Sequence, residues 1–193
     1  MEYYLPDSVS TDELVELVKT LNADESVDGL LVQLPLPVGV DEKAVLGAVT
    51  PEKDVDGFHA VNAGNLLLGN PCLAACTPSG IMELIKSTGT TISGKHAVVV
   101  GRSNIVGKPI ALMLLGENAT VTICHSRTQN LASYTREADI LVVAIGKKEF
   151  ITGNMIKPGA VVIDVGMNRN DGKLYGDVEF SSASEVAAFI TPV

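Results

Sequence analysis

Hydrophobic positions recur first at helical spacing and only later in short continuous runs. In "VSTDELVELVKTLN", Leu14, Leu17 and Val18 form one apolar stripe behind Ser10 and Glu13, which have the spacing of a capping box, so a helix is predicted. "DGLLVQLPLP", residues 28–37, is a continuous apolar run ended by Pro35 and Pro37. It predicts a buried strand with one amide, Gln33, in its middle. "DEKAVLGAV" predicts a helix that starts at Asp41 and stops before Pro51. "PEKDVDGFHAVNAGNLLLGNP" holds charges and glycines without a sustained period and predicts a long irregular connection. "CTPSGIMELIKSTG" predicts a helix with Thr77 as cap, Pro78 at the first helical position, Ile81, Leu84 and Ile85 on one face, and Gly89 at its end. A domain boundary is placed there, giving a partial α/β domain over residues 1–75 and a second domain over residues 76–193.

From Gly94 the pattern becomes regular: "HAVVVG", "ATVTICH", "DILVVAIG" and "AVVIDVG" read as strands. "KPIALMLLGEN" and the stretch around "NLASYTREA" read as helices between them. Strands alternating with helices predict an α/β fold with a doubly wound, Rossmann-type parallel sheet. The tail "SSASEVAAFITPV" predicts one more helix and an edge strand.

Composition supports this reading, because 46% of the 193 residues are apolar, aromatics are only 4%, and there are 18 glycines and no Trp. That balance suits parallel α/β sheets and disfavours a β-sandwich. The net charge of −9 argues against a nucleic-acid partner, although a local phosphate pocket is compatible with it. No apolar run approaches the ~20 residues that span a bilayer, and no leader precedes the first polar segment, so a cytoplasmic protein without membrane association is expected. Cys72, Cys76 and Cys124 are an odd set without a signal peptide; they read as reduced, buried small hydrophobes, and their spacing supports no metal site.

Candidate chemistry centres first on "VVVGRSNIVGKP", where a strand meets Gly101, a short loop, Gly107 and a helix. Backbone N–H groups and the helix dipole can hold a pyrophosphate in that setting, whereas a tight turn without ligand is the plainer alternative. The second strand ends in His125, Ser126, Arg127 and Thr128 rather than in an acidic residue. Arg102, Ser126 and Arg127 could then meet a 2′-phosphate, with Ser103 of the glycine loop a further cofactor contact, which favours NADP over NAD, unless both arginines are simply solvated. Ala144, Ile145, Gly146, Gly166 and Met167 fall at the ends of the next two strands, where a nicotinamide would sit, while Met167 in isolation reads more often as a core filler. An unpaired Gln33 amide in a buried strand would cost on the order of 1 to 3 kcal/mol, so a protein, water or ligand partner is expected. Asp54 and Asp56, two residues apart, would share a side in an extended segment; Asp56-Gly57 also reads as a turn.

Taken in order, "DGLLVQLPLP", "PEKDVDGFHAVNAGNL", "CTPSG", "GRSNIVGKP", "CHSRT" and "KPGAVVIDVGMN" resemble the bifunctional methylenetetrahydrofolate dehydrogenase/cyclohydrolase family along almost the whole chain. The resemblance implies a homodimeric two-domain enzyme with a folate cleft between a catalytic domain and an NADP-binding domain. It implies oxidation of 5,10-methylene-tetrahydrofolate by NADP⁺ and hydrolysis of the methenyl product to 10-formyl-tetrahydrofolate. It further implies that Gln33 contacts folate and orients a catalytic lysine, that Asp56 binds the pterin, and that Val32 and Leu34 are backbone neighbours in the folate wall. A carboxylate suits the 2-amino and N3 donors of a pterin, and an amide can hold a lysine without adding charge.

The family's Tyr-x-x-x-Lys does not occur here: Tyr3 and Tyr4 are followed at that spacing by Asp7 and Ser8, and Lys19 reads as a solvated helix residue. The glycine-rich loop expected beyond "ITPV" is also outside these residues. The chain is therefore expected to be a core fragment that binds NADP while folate turnover is lost or very weak. A non-catalytic NADP-binding module is the rival reading, separable by an upstream Tyr-x-x-x-Lys. A shikimate-dehydrogenase-like enzyme would share only the cofactor half, and "VQLPLP" and "DVDGFHAVNAG" lie outside it.

Overall fold

The computed structural model describes residues 1–192; Val193, the last position of the expected nucleotide-binding half, lies outside the described residues. The chain forms two compact units, Met1–Cys76 and Thr77–Val193.

In the first unit the capping box forms as the spacing predicts. The Ser10 hydroxyl accepts from Glu13 N–H and the Glu13 carboxylate accepts from Ser10 N–H, starting α1 (Thr11–Ala23). Asp41 caps α2 (Glu42–Ala48), accepting from Ala44 N–H at 3.1 Å. Leu14 and Val18 of α1 and Val45 of α2 bury together with Val49, and Leu30, Val32 and Leu36 pack against them. The expected irregular connection instead contains a helix, α3 (Ala60–Leu68), with the His59 ring as its cap and Gly69 at φ +73 as its stop. Asn62 and Gly64 interrupt the apolar spacing of that stretch, and Asn62 is buried because it bonds Pro51 O and Asp54, which tertiary context alone reveals.

The expected buried strand over residues 28–37 is a correction. The segment alternates inward Leu30, Val32, Leu34 and Leu36 with exposed Leu31, Gln33 and Pro35, but among the described residues it pairs with the chain only at one parallel bridge, Leu30 to Asp54. A strand is fully buried only when neighbours cover both faces and edges. One bridge leaves Gln33 in the open, so the predicted desolvation cost does not arise. The Leu34–Pro35 peptide is cis.

The second unit is built on a parallel five-stranded sheet. Its helix α4 (Cys76–Ser87) begins a residue before the expected cap Thr77. The strands are β1 (His96–Val100), β2 (Thr120–Cys124), β3 (Ile140–Val143), β4 (Val161–Asp164) and β7 (Phe189–Ile190), in the order β2-β1-β3-β4-β7. Helices α5 (Gly107–Gly116), α6 (Leu131–Thr135) and α7 (Phe180–Ala183) connect them, and an antiparallel hairpin, β5 (Asn168–Asn170) with β6 (Lys173–Tyr175), turns at Asp171 and Gly172.

Period-two alternation supplies both faces of the sheet. Ala97, Val99, Ile140, Val142, Val161 and Ile163 bury against Ile81, Met82 and Ile85 of α4 and Ile110, Ala111 and Leu114 of α5. On the opposite face Val98, Val100, Leu141, Val143 and Val162 bury with Ile151, Ile156, Val178 and Ala183. The sheet is thus covered on both sides, the doubly wound arrangement that the continuous apolar runs predict. Because α5 leaves β1 toward one neighbour and the chain returns to β3 on the other, the switch point lies between β1 and β3.

Candidate functional site

Gly101 follows β1 directly at φ +136, and a Cβ there would stand 2.3 Å from Ala144 O at the end of β3. A Cβ on Gly107, the first residue of α5, would stand 2.5 Å from Gly101 O and 2.7 Å from Arg102 N. Any side chain at either position would push the loop off the sheet, so the two glycines draw residues 101–107 down onto the switch point. Inside the loop the Ser103 hydroxyl accepts from Val106 and Gly107 N–H, both at 3.2 Å, and Ser103 O accepts from Lys108 N–H at 3.0 Å. The predicted cofactor contact Ser103 therefore ties the start of α5 together. Among the described residues the N–H groups of Arg102, Ser103, Asn104 and Ile105 donate to no protein acceptor, which leaves a short row of donors for an anion.

The end of β2 lies beside this loop, Val100 being in register with Cys124 and Gly101 N–H donating to Cys124 O at 2.9 Å. His125 turns the chain there: its N–H donates to Thr128 Oγ1 and its Nδ1 accepts from Arg127 N–H. Ser126 and Arg127 are carried into solvent by that turn, as Arg102 is by its own loop, and neither guanidinium forms an ion pair among the described residues.

Beyond β3, residues 145–147 are held by a residue that sequence reasoning missed. Asp177, fully buried, accepts from the N–H of Ile145 at 2.6 Å, of Gly146 at 2.9 Å and of Lys147 at 2.7 Å, and from Asn168 Nδ2 at 2.9 Å. Asp164, at the end of β4, in turn accepts from Asp177, Val178 and Gly166 N–H, each at 2.9 Å. Burial pushes the Asp164 carboxyl above the usual carboxylate range, with the Asp177 charge adding to the effect and the N–H donors opposing it. Gly166 lies against Asp177, where a Cβ would meet its carboxyl at 2.3 Å. The available signal was Asp164 itself, a carboxylate ending an apolar strand; Asp177 in "GDV" reads only as a turn. Met167 is 79% exposed, so it is not a core filler. The cysteine reading also needs correcting: only Cys124 is buried, Cys72 is half-buried and Cys76 is exposed, near Val55 O.

In the first unit the turn read at Asp56-Gly57 forms, residues 51–53 and 55–56 lying in turns on either side of the bridge residue Asp54, so the extended alternative that would put Asp54 and Asp56 on one side does not apply. Asp54 is buried and accepts from His59 N–H at 2.8 Å and Asn62 Nδ2 at 3.0 Å. Asp56 is half-buried and its carboxylate has no hydrogen bond among the described residues. Burial, and then the Asp54 charge, hold it above the usual carboxylate range. Gly57 makes the turn behind it at φ +67, with Leu73 O and Ala75 N each 2.7 Å from where a Cβ would be. The Leu30–Asp54 bridge joins the two segments in parallel at that one point. Exposed Gln33 donates only to Leu34 O, at 2.9 Å, leaving its amide oxygen and one N–H unused among the described residues.

Residues 1–56 match the catalytic domain, and residues 75–193 the NAD(P)-binding domain, of tetrahydrofolate dehydrogenase/cyclohydrolase. The chain is 61% identical over 193 residues to the bifunctional protein FolD of Acetivibrio thermocellus, covering 100% of this chain and 68% of that protein. The corresponding protein of Brevibacillus brevis is 60% identical over 186 residues, covering 96% of this chain and 66% of its own length. Among solved structures, the bifunctional FolD of Campylobacter jejuni superposes with a TM-score of 0.97 at 46% identity, over 99% of this chain and 68% of that one. The Trypanosoma brucei FolD, solved with NADP cofactor and inhibitor, gives 0.92 at 42% identity, over 98% of this chain and 67% of that one.

Proposed function

The chain belongs to the tetrahydrofolate dehydrogenase/cyclohydrolase family, and from that premise we propose that it binds NADP at the ends of β1, β2 and β3 and takes tetrahydrofolate derivatives as substrates. The observation that carries the reading is the glycine loop, drawn by Gly101 and Gly107 onto the switch point with the N–H groups of residues 102–105 unused. Those donors receive the pyrophosphate. Arg102, Ser126 and Arg127 meet the 2′-phosphate, and Ala144, Ile145, Gly146 and Met167 border the nicotinamide. No carboxylate follows β2 to repel the extra phosphate.

When bound, NADP⁺ supplies the hydride acceptor for oxidising 5,10-methylene-tetrahydrofolate, and water added to the methenyl product gives 10-formyl-tetrahydrofolate. Asp56 binds the pterin: a half-buried carboxylate without a hydrogen-bonding partner among the described residues suits two N–H donors, and burial, then the Asp54 charge, raises its affinity for protons. Gln33, with Val32 and Leu34 as backbone neighbours, offers its unused amide to folate or to an amine. A homodimer in the cytoplasm completes the reading; no helix among the described residues is long and apolar enough to cross a membrane.

No Tyr-x-x-x-Lys occurs among the 193 residues, which favours a second reading for the polypeptide taken alone: cofactor binding with little or no turnover. A positioned acid or base typically contributes about 10² to 10⁴-fold. An NADP⁺ titration run beside an absorbance assay with 5,10-methylene-tetrahydrofolate tests both. Saturable binding with a rate reduced by that factor is expected; absence of binding overturns the cofactor assignment, and turnover at a rate ordinary for an enzyme overturns the second reading.

A further inference from the structure

Three consecutive backbone N–H groups aimed at one point form a nest that attracts anions. Residues 145–147 make such a nest at the end of β3, and the protein fills it with its own carboxylate, Asp177. Among the described residues Asp177 is the only charged side chain of the second unit that is fully buried. Its place is fixed from behind by Asp164, which accepts from its N–H, and from the side by Asn168. The chain on either side is tied down as well: Glu149 N–H donates to Gly176 O at 2.9 Å and Ile151 N–H to Asp177 O at 3.0 Å. With its N–H donors consumed, the backbone of the loop retains only acceptors, for the carbonyls of Ala144, Ile145 and Gly146 take no hydrogen bond among the described residues, while the Lys147 and Lys148 ammonium groups lie over the Phe150 and Tyr175 rings.

The two strand-end loops therefore differ in polarity, the β1 loop offering unused N–H groups and the β3 loop unused C=O groups. We propose that Asp177 is a positioning residue that sets the orientation of the dinucleotide, by occupying the β3 nest so that phosphate binds only at the β1 loop and the carboxamide N–H donors of nicotinamide meet the β3 carbonyls. The inference rests on the NADP reading above and adds to it a residue that touches neither phosphate nor ring.

The test uses the full 193-residue chain and two probes, NADP⁺ and 2′,5′-ADP, which carries the adenosine side without the nicotinamide. Asp177→Asn keeps the shape but turns an N–H toward the loop donors. Affinity for NADP⁺ is expected to fall about tenfold or more, as loss of charge-assisted hydrogen bonds implies. Affinity for 2′,5′-ADP is expected to stay unchanged. A purely structural role would weaken both probes together, so equal losses overturn the proposal, as do two unchanged affinities. Should Asp177→Asn not fold, Asn168→Ala decides, since it removes one donor to Asp177 from a half-buried hairpin position: a smaller loss confined to NADP⁺ is expected, and no selective loss overturns the proposal. Wild-type chain that binds neither probe overturns the NADP reading itself; wild-type chain that binds both, with variants unaltered, overturns only the role of Asp177.

Discussion

Gly101 and Gly146 both have positive φ and both border the cofactor loops, yet they carry different constraints. A Cβ at Gly146 meets nothing within 4 Å, so Gly146→Ala is expected to cost only the left-handed strain, about 1–2 kcal/mol. Gly101→Ala adds a steric clash with Ala144 O and should cost more than that and abolish NADP⁺ binding. Denaturant midpoints for the two variants, with one NADP⁺ titration each, check the order. Single residues are also where the sequence was least informative. Gln33 and Met167 sit in apolar stretches but in the open, because burial depends on which neighbours cover a segment rather than on the segment itself. Asp177 escaped notice because its three partners lie about thirty positions away in sequence.

Elements were far more legible. Ser10 and Glu13 announce α1, Asp41 and Pro51 bracket α2, and the β-branched runs of the second unit mark four of its parallel strands, since each signal acts within a few residues. The helix α3 and the β5–β6 hairpin were not, the first for lack of a clean apolar stripe and the second because three-residue strands carry almost no period. Between elements, Asp139 before β3 pairs with Lys157 before β4 at 2.7 Å and accepts from His96 N–H at 3.0 Å. Lys157, first, and the His96 N–H hold the Asp139 carboxyl below the usual carboxylate range. A depressed folded pKa contributes stability above the unfolded value that is lost as pH falls through the folded one. Asp139→Asn should therefore lower Tm at neutral pH, and the gap from wild type should narrow on acidification; a gap that is constant with pH would contradict the assignment.

At the scale of the molecule, each unit has its own core, and the second also contains every proposed NADP contact. A polypeptide of residues 77–193 is accordingly expected to unfold in one cooperative transition and to bind 2′,5′-ADP with the affinity of the longer chain. Calorimetry on both polypeptides decides it, and a broad, non-cooperative melt would show that the sheet needs the first unit. The overall topology was readable because strand and helix alternation leaves few parallel arrangements. The first unit was harder, since its extended segment has only one bridge among the described residues to reveal its register.

The bond from Asp177 to residues 145–147 also imposes an order in time. The strand β3 and the loop after it leave the ribosome some thirty residues before the carboxylate that shapes them. The nascent sheet can align β1, β2 and β3 early, but its β3 loop stays an open anion nest until residues 176–178 dock. During synthesis, recognition of the adenosine side should precede recognition of the nicotinamide side.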